Sequence, residues 1–290
     1  MKIHVPCNLC GSDSTASLFE KQGFNIVKCK KCGLVYVNPR LSMDDIKKLY
    51  QEAEYFNRNE EGHGYRDYLA DRELHIKTFE REFDLIERHK KGEKLLDIGC
   101  ATGFALKVAK GRGWEVHGIE VSRFAAEYAR KEFSIDVFNG TLEESHYPDK
   151  NFDLIIAYGT IEHTVEPKAF LKESGRILKD DGLIVIATPD IGNWLGNREF
   201  QYKPLEHLYY FNRDTISKML RDAGMEVIAY RKMKVNRSLR FHIERLKYYF
   251  RRSNSVLNTI ESLLKTAQLL DISFFIPDGQ MVVYAKKVVK

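Results

Sequence analysis

Apolar positions along the middle of the chain follow two alternating rhythms. Residues 95–99, 115–120, 136–139, 152–158, 183–189 and 226–230 are short apolar runs bounded by charge, glycine or proline, and they read as strands. Between them, residues 104–112, 123–133 and 167–178 place their apolar side chains at helical spacing. Ser122 is a fitting cap for the second of these helices, Pro167 sits near the start of the third, and Asp181-Gly182 ends it. The run Phe152–Tyr158 is apolar almost throughout, as in a strand buried on both faces. This alternation predicts an α/β domain: a parallel sheet with helices on both faces, and ligands beyond the carboxyl ends of the strands.

The pattern changes on either side of this core, expected over residues 93–235. Residues 41–92 read as a helical linker or lid. Ser42 with Asp45 suggests a capping box ahead of Ile46–Tyr50, and a longer helix is expected from about Asp67 to His89. Tyr50, Tyr55, Phe56, Tyr65 and Tyr68, interrupted by Gly62-His63-Gly64, make an aromatic stretch fit to close over a substrate. Residues 236–276 read as a helical insertion. Its first part interleaves Arg237, Arg240, His242, Arg245, Lys247, Arg251 and Arg252 with apolar residues, a basic amphipathic pattern. The second part, Val256 to Leu270, carries an apolar stripe that needs a surface, either this domain or a second copy of the chain.

With 290 residues, 43% hydrophobic and 30% charged, the chain can bury a full core. Its net charge of +5 permits an anionic partner without demanding one. No apolar run reaches the length of a membrane-spanning helix, and the N-terminus shows no signal-peptide pattern, so a cytoplasmic location is expected. In that compartment five cysteines are better metal ligands than disulfides. Four of them form two knuckles, Cys7-Asn8-Leu9-Cys10-Gly11 and Cys29-Lys30-Lys31-Cys32-Gly33. Each C-x-x-C-G turn aims two thiolates at one point, and two such turns make a closed four-sulfur site suited to structural zinc. Residues 1–40 are therefore expected to be a zinc ribbon, with no open metal position for catalysis.

The turn after the first core strand carries the chemistry. Asp97-Ile98-Gly99-Cys100-Ala101-Thr102-Gly103 is a glycine-bearing strand-to-helix turn, which presents backbone N–H groups to a ligand. It is neither G-x-G-x-x-G nor a P-loop, which argues against dinucleotides and nucleoside triphosphates. Glu120, ending the second strand, can accept both hydrogens of a ribose diol, and Asp97 can meet a ligand's amino-acid end. Cys100 reads as a small buried side chain packing the turn rather than a nucleophile.

These residues resemble motif I of class I S-adenosylmethionine-dependent methyltransferases. Glu120 is similar to the family's ribose-binding acid, and Gly140-Thr141-Leu142-Glu143-Glu144 to its adenine-side segment. Asn151-Phe152-Asp153-Leu154-Ile155 resembles its fourth strand, and Ile161-Glu162-His163 the segment after it. The N-terminal knuckles, Thr188-Pro189-Asp190 and Pro204–Phe211 resemble a zinc-ribbon-bearing bacterial and archaeal branch associated with surface-polysaccharide or secondary-metabolite pathways. The resemblance implies a Rossmann-like fold with a mostly parallel seven-stranded sheet, its last strand at residues 277–290. It implies a cofactor site of Asp97, Gly99, Cys100, Ala101, Gly103, Glu120, Val121, Thr141, Leu142 and Tyr158. Ubiquinone-type O-methyltransferases, which share the Glu-His segment, hold a metal with a further glutamate where this chain has Gly159, so the resemblance carries no catalytic metal to Glu162 and His163.

Methyl transfer to oxygen or nitrogen requires the acceptor to lose a proton, which a histidine can take. His163 and His207 follow strand ends and are the candidate catalytic bases. Tyr158, Trp194, Tyr202, Tyr209 and Tyr210 are candidate walls of the acceptor pocket. The expected acceptor is a small or carrier-linked metabolite such as a sugar. An RNA methyltransferase is the alternative, but Lys28, Lys30 and Lys31 lack the aromatic interleaving that RNA contact needs, which argues against nucleic acid. A further alternative is a non-catalytic S-adenosylmethionine binder. The basic insertion is expected to be a helical cap with a solvated charged face, with peripheral contact to a membrane surface, a phosphate-bearing substrate, or a second copy of the chain as the alternatives.

Overall fold

The computed structural model describes residues 2–42, 45–46, 69–193, 202–249, 254–267 and 269–288. Five short strands open the chain: β1 (Lys2–Ile3), β2 (Thr15–Lys21), β3 (Phe24–Cys29), β4 (Val35–Val37) and β5 (Arg40–Leu41). The alternating core follows as α1 (Arg72–Ile86), β6 (Lys94–Ile98), α2 (Phe104–Gly111), β7 (Glu115–Glu120), α3 (Arg123–Phe133), β8 (Asp136–Asn139) and β9 (Phe152–Tyr158). It continues through α4 (Pro167–Ile177), β10 (Leu178–Pro189), β11 (Tyr209–Tyr210), α5 (Arg213–Asp222) and β12 (Met225–Ser238). The chain ends with α6 (Leu239–Tyr249), α7 (Asn254–Thr266) and β13 (Ser273–Lys287).

The main sheet has seven strands in the order β12-β13-β10-β9-β6-β7-β8. β10, β9, β6, β7 and β8 run parallel, while β13 is antiparallel to both of its neighbours. The expected mostly parallel, Rossmann-like sheet is what forms. Successive residues of the central strands serve opposite faces, which is why their apolar runs are continuous. Leu95, Leu154 and Val185 pack with Phe79 and Phe83 of α1 and Phe104 of α2. Leu96, Ile155 and Ile184 pack with α4, α5 and the ribbon residues Leu9, Val27 and Leu34. Helix starts obey local chemistry: Ser122 Oγ accepts from Ala125 N, and Asn212 with Thr215 forms a reciprocal capping box on α5.

Two expected boundaries shift. The ribbon does not end at residue 40 as a separate module, because β2, β3 and β4 gain β11 as a fourth strand. α1 falls within the helix expected from about Asp67 to His89 and packs on the core, with Phe83 and Ile86 fully buried. It is also tied to the far edge, where Glu82 pairs with Arg231 and Thr78 Oγ1 accepts from Asn236 N at 2.8 Å. The insertion is shorter than 236–276, because β12 and β13 remain paired as far as Ser238 and Ser273. Arg237, expected on the basic helix, is therefore on a strand; the charges interleaved with buried Met233 and Val235 mask a period-two pattern. The aromatic stretch from Tyr50 to Tyr68 lies outside the described residues, as does Trp194. Ser42 and Asp45 do make the expected capping contact, Asp45 N donating to Ser42 Oγ at 3.2 Å. Among the described residues, no helix is long and apolar enough to cross a membrane.

Candidate active site

The turn between β6 and α2 is held from behind. Gly99 N and Cys100 N both donate to Ile119 O, at 2.8 and 3.0 Å, which pins the loop against the neighbouring strand. Gly99 has φ +77°, and a Cβ there would lie 2.6 Å from Thr160 Oγ1. Gly103 caps α2 with φ +82°, and its Cβ would lie 2.8 Å from Ala129 Cβ. Only glycine meets both the left-handed backbone and the close approach. Cys100 packs in the space over Gly118, and burial raises its thiol well above the usual range. It is a packing residue, as the sequence suggested.

Two buried acids stand beside this turn. Glu120 Oε2 accepts from Ala101 N and Oε1 from Ser122 N, both at 2.8 Å, so it braces the glycine turn and the start of α3 together. Asp97 is 4% exposed, and burial, then the neighbouring Glu120, push its carboxyl up to about 8. Burial also raises Glu120, against the backbone N–H groups that it accepts. Two buried carboxylates at neighbouring strand ends favour a cation between them, the opposite of what a pyrophosphate would meet. Beyond Glu120, Asn139 Nδ2 donates to the carbonyls of Glu120 and Val121, at 2.8 and 3.1 Å. Val121 is an exposed apolar surface there, Leu142 is buried, and Thr141 N is held by Glu144. Tyr158, by contrast, gives its hydroxyl to Glu82 at 3.0 Å, so that group braces α1 and is not offered to a ligand.

The second half of the site follows β9. Thr160 Oγ1 donates to Ile98 O at 2.8 Å, joining this loop to the strand that carries Asp97. The tight turn Ile161–His163 comes next, with Glu162 buried at 3% exposure. Glu162 Oε2 accepts from Thr188 Oγ1 at 2.9 Å, and burial pushes its carboxyl up to about 7. His163 and His207 meet edge to face with ring centroids 4.8 Å apart. Burial holds His163 toward its neutral form, opposed by the Glu206 carboxylate and by a hydrogen bond from its ring to the Glu206 carbonyl. Donor atoms of Glu162, His163 and His207 all lie within 4.8 Å of one another. The sequence named the two histidines separately; the fold makes them one cluster with Glu162.

The aromatic expectation fails for three side chains. Tyr202, Tyr209 and Tyr210 are each at most 4% exposed. Tyr209 and Tyr210 form β11, which pairs with β4, and Tyr202 packs with Tyr210 and Phe24. Among the described residues they join the ribbon to the core. In the ribbon, the four cysteines converge: Cys7 and Cys32 Sγ are 3.4 Å apart, Cys10 and Cys29 Sγ 3.6 Å, and all four lie within 4.8 Å. Sulfur atoms around tetrahedral zinc, with bonds of about 2.3 Å, stand about 3.8 Å apart, so the set fits that ion.

The profile of a family described as a methyltransferase domain matches residues 63–230. The chain belongs to that family. A probable S-adenosylmethionine-dependent methyltransferase of Mycolicibacterium smegmatis is 23% identical over 160 residues, which cover 55% of this chain and 62% of that protein. A ubiquinone biosynthesis O-methyltransferase of Bradyrhizobium diazoefficiens is 32% identical over 108 residues, 36% of this chain and 42% of the relative. The chain thus spans less than two thirds of the length of these relatives. Among solved structures, one titled a possible histamine N-methyltransferase from Thermotoga maritima aligns with TM-score 0.52 at 21% identity, over 77% of this chain and 94% of that one. A methyltransferase from Archaeoglobus fulgidus aligns with TM-score 0.51 at 19% identity, over 76% and 99% of the two chains. Both likenesses concern the fold.

Proposed function

We propose that this methyltransferase-family chain moves the methyl group of S-adenosylmethionine to an oxygen or nitrogen of a small or carrier-linked metabolite, with a sugar as the leading class. The observation that carries the reading is the joining of two sites through Thr160. A carboxylate pair, Asp97 and Glu120, sits on one side and the Glu162–His163–His207 cluster on the other, at the carboxyl ends of adjacent strands. S-adenosylmethionine supplies an electrophilic methyl group on a sulfonium centre. Asp97 attracts the cationic amino-acid end, Glu120 takes the ribose hydroxyls, and Val121 with Thr141 and Leu142 borders the adenine. The Gly99–Gly103 turn, fixed from behind by Ile119 and Glu120, borders the approach as a rigid wall.

At the acceptor end the chain's own groups handle the proton. His163 and His207 lie close enough for one imidazole to accept the acceptor's proton while the other orients it. Glu162, kept in place by Thr188, supports the charge that develops on the pair. The cysteine cluster holds structural zinc and takes no part in the chemistry, because four sulfur ligands close the ion's coordination. The ribbon turns its surface toward the core through β11, which supports a scaffolding role over an RNA-contacting one.

The test is transfer of labelled methyl from S-adenosylmethionine to nucleotide-linked sugars, lipid-linked sugars and total RNA. We expect label in a sugar fraction, and at least about a hundredfold loss in His163→Ala or His207→Ala with binding of S-adenosylhomocysteine retained. Labelled RNA, or full turnover in both variants, contradicts the reading.

A further inference from the structure

The cysteine-bearing sheet and the acceptor-side loop share a continuous line of backbone hydrogen bonds. Val37 N donates to Leu208 O at 3.0 Å, and Leu208 N donates in turn to Glu162 O at 2.8 Å. Arg40, just beyond that sheet, is a cation with 3% exposure. Its Nη1 donates to Val165 O and to the Tyr209 hydroxyl, both at 2.9 Å. The Tyr209 hydroxyl donates to Val165 O as well, at 3.0 Å. Val165 stands just after His163, and Tyr209 just after His207. One guanidinium therefore grips both segments that carry the imidazoles.

The grip extends to the first cysteine knuckle. Arg40 Nη2 lies 3.5 Å from Glu166 Oε1. Asn8, between Cys7 and Cys10, hydrogen-bonds Glu166 and accepts from Lys168 N at 2.9 Å. A buried cation whose one ionic partner, Glu166, is largely exposed is costly to keep, so its geometry has to be supported by the fold around it. The planar fork turns Nη1 to Val165 O and the Tyr209 hydroxyl and Nη2 to Glu166, three oxygens that the compact ammonium of lysine matches poorly.

We infer that Arg40 is a positioning residue for methyl transfer: from the cysteine ribbon it sets the spacing of the His163 and His207 segments, and it acts on the reaction only through them. The inference rests on the acceptor being bound at those two histidines. The cofactor turn does not depend on it, because Gly99, Cys100 and Ala101 are held by Ile119 and Glu120.

Full-length protein with nitrogen-labelled imidazoles tests this, with His163→Gln and His207→Gln used to assign the ring signals. In Arg40→Met both signals should move, while those of His75 in α1 and His117 in β7 stay in place. Arg40→Lys should restore them in part. Affinity for S-adenosylhomocysteine should stay within about twofold in every variant, whereas turnover with a found acceptor falls about tenfold or more in kcat, without change in KM for S-adenosylmethionine. Tyr209→Phe removes one arm of the grip and keeps the packing, so it decides the matter should Arg40→Met fail to fold. Unmoved His163 and His207 signals in folded Arg40→Met or Tyr209→Phe overturn the inference, as does a Tyr209→Phe protein that loses S-adenosylhomocysteine binding and shifts every histidine together. Full turnover in the two histidine variants, with the Arg40 effect on their signals intact, would instead remove the acceptor reading.

Discussion

Asp97 concentrates the residue-scale argument. Burial and Glu120 push its carboxyl up to about 8, so in the ligand-free protein it is largely protonated at neutral pH. A cationic amino-acid end binds the ionised form better, so binding releases a proton. S-adenosylhomocysteine affinity should therefore rise with pH, by up to about tenfold per unit between pH 6 and 8, and Asp97→Asn should bind weakly with no such slope. Stability has the opposite sign. The folded value lies above the unfolded one, so Asp97 costs the ligand-free protein stability as pH climbs from about 4 towards 8. Asp97→Asn should then melt higher than wild type at pH 8 while losing the ligand's effect, read by calorimetry; a lower melting temperature contradicts the burial argument. Asp97, Glu120 and the glycines were readable from spacing, because a strand, a tight turn and a helix constrain neighbouring positions. Glu162, His163 and His207 could be named but not grouped, since the last comes from a segment far along the chain. Arg40 gave no local signal, because its partners Val165 and Tyr209 are non-local.

At the scale of elements, strands buried on both faces announced themselves and exposed-edge strands did not. Residues 152–158 match β9 throughout because neither face meets water. β12 and β13 run further than their apolar cores suggest, because the exposed Lys232 and Lys234 alternate with the buried Met233 and Val235. The Tyr209-Tyr210 pair illustrates the same ambiguity: two aromatics fit a pocket wall and a strand equally well in sequence. Since Ser238 pairs with Ser273, a short turn can replace residues 240–271 without cutting the sheet. We expect that variant to fold and to bind S-adenosylhomocysteine as wild type does, by calorimetry. Lost binding would make α6 and α7 part of the cofactor site. The exposed Leu246, Ile260 and Leu263 on these helices are the apolar surface that the deletion would remove.

On the scale of the whole molecule, the ribbon, the parallel sheet and the acceptor-side loop form one hydrogen-bonded body. The Cys7–Cys32 and Cys10–Cys29 approaches set the zinc prediction: one equivalent per chain by elemental analysis, and none in the Cys7→Ser/Cys29→Ser double variant. A second equivalent that disappears with His207→Ala would make the imidazole pair metal ligands rather than bases. The central claim is that Asp97 and Glu120 form the S-adenosylmethionine site at the carboxyl ends of β6 and β7. The most direct measurement is calorimetric titration of the wild-type chain, Asp97→Ala and Glu120→Ala with S-adenosylhomocysteine. One site per chain is expected in wild type, with affinity reduced by about a hundredfold or more in each variant. Equal affinities in all three proteins, or no binding to wild type, would contradict it.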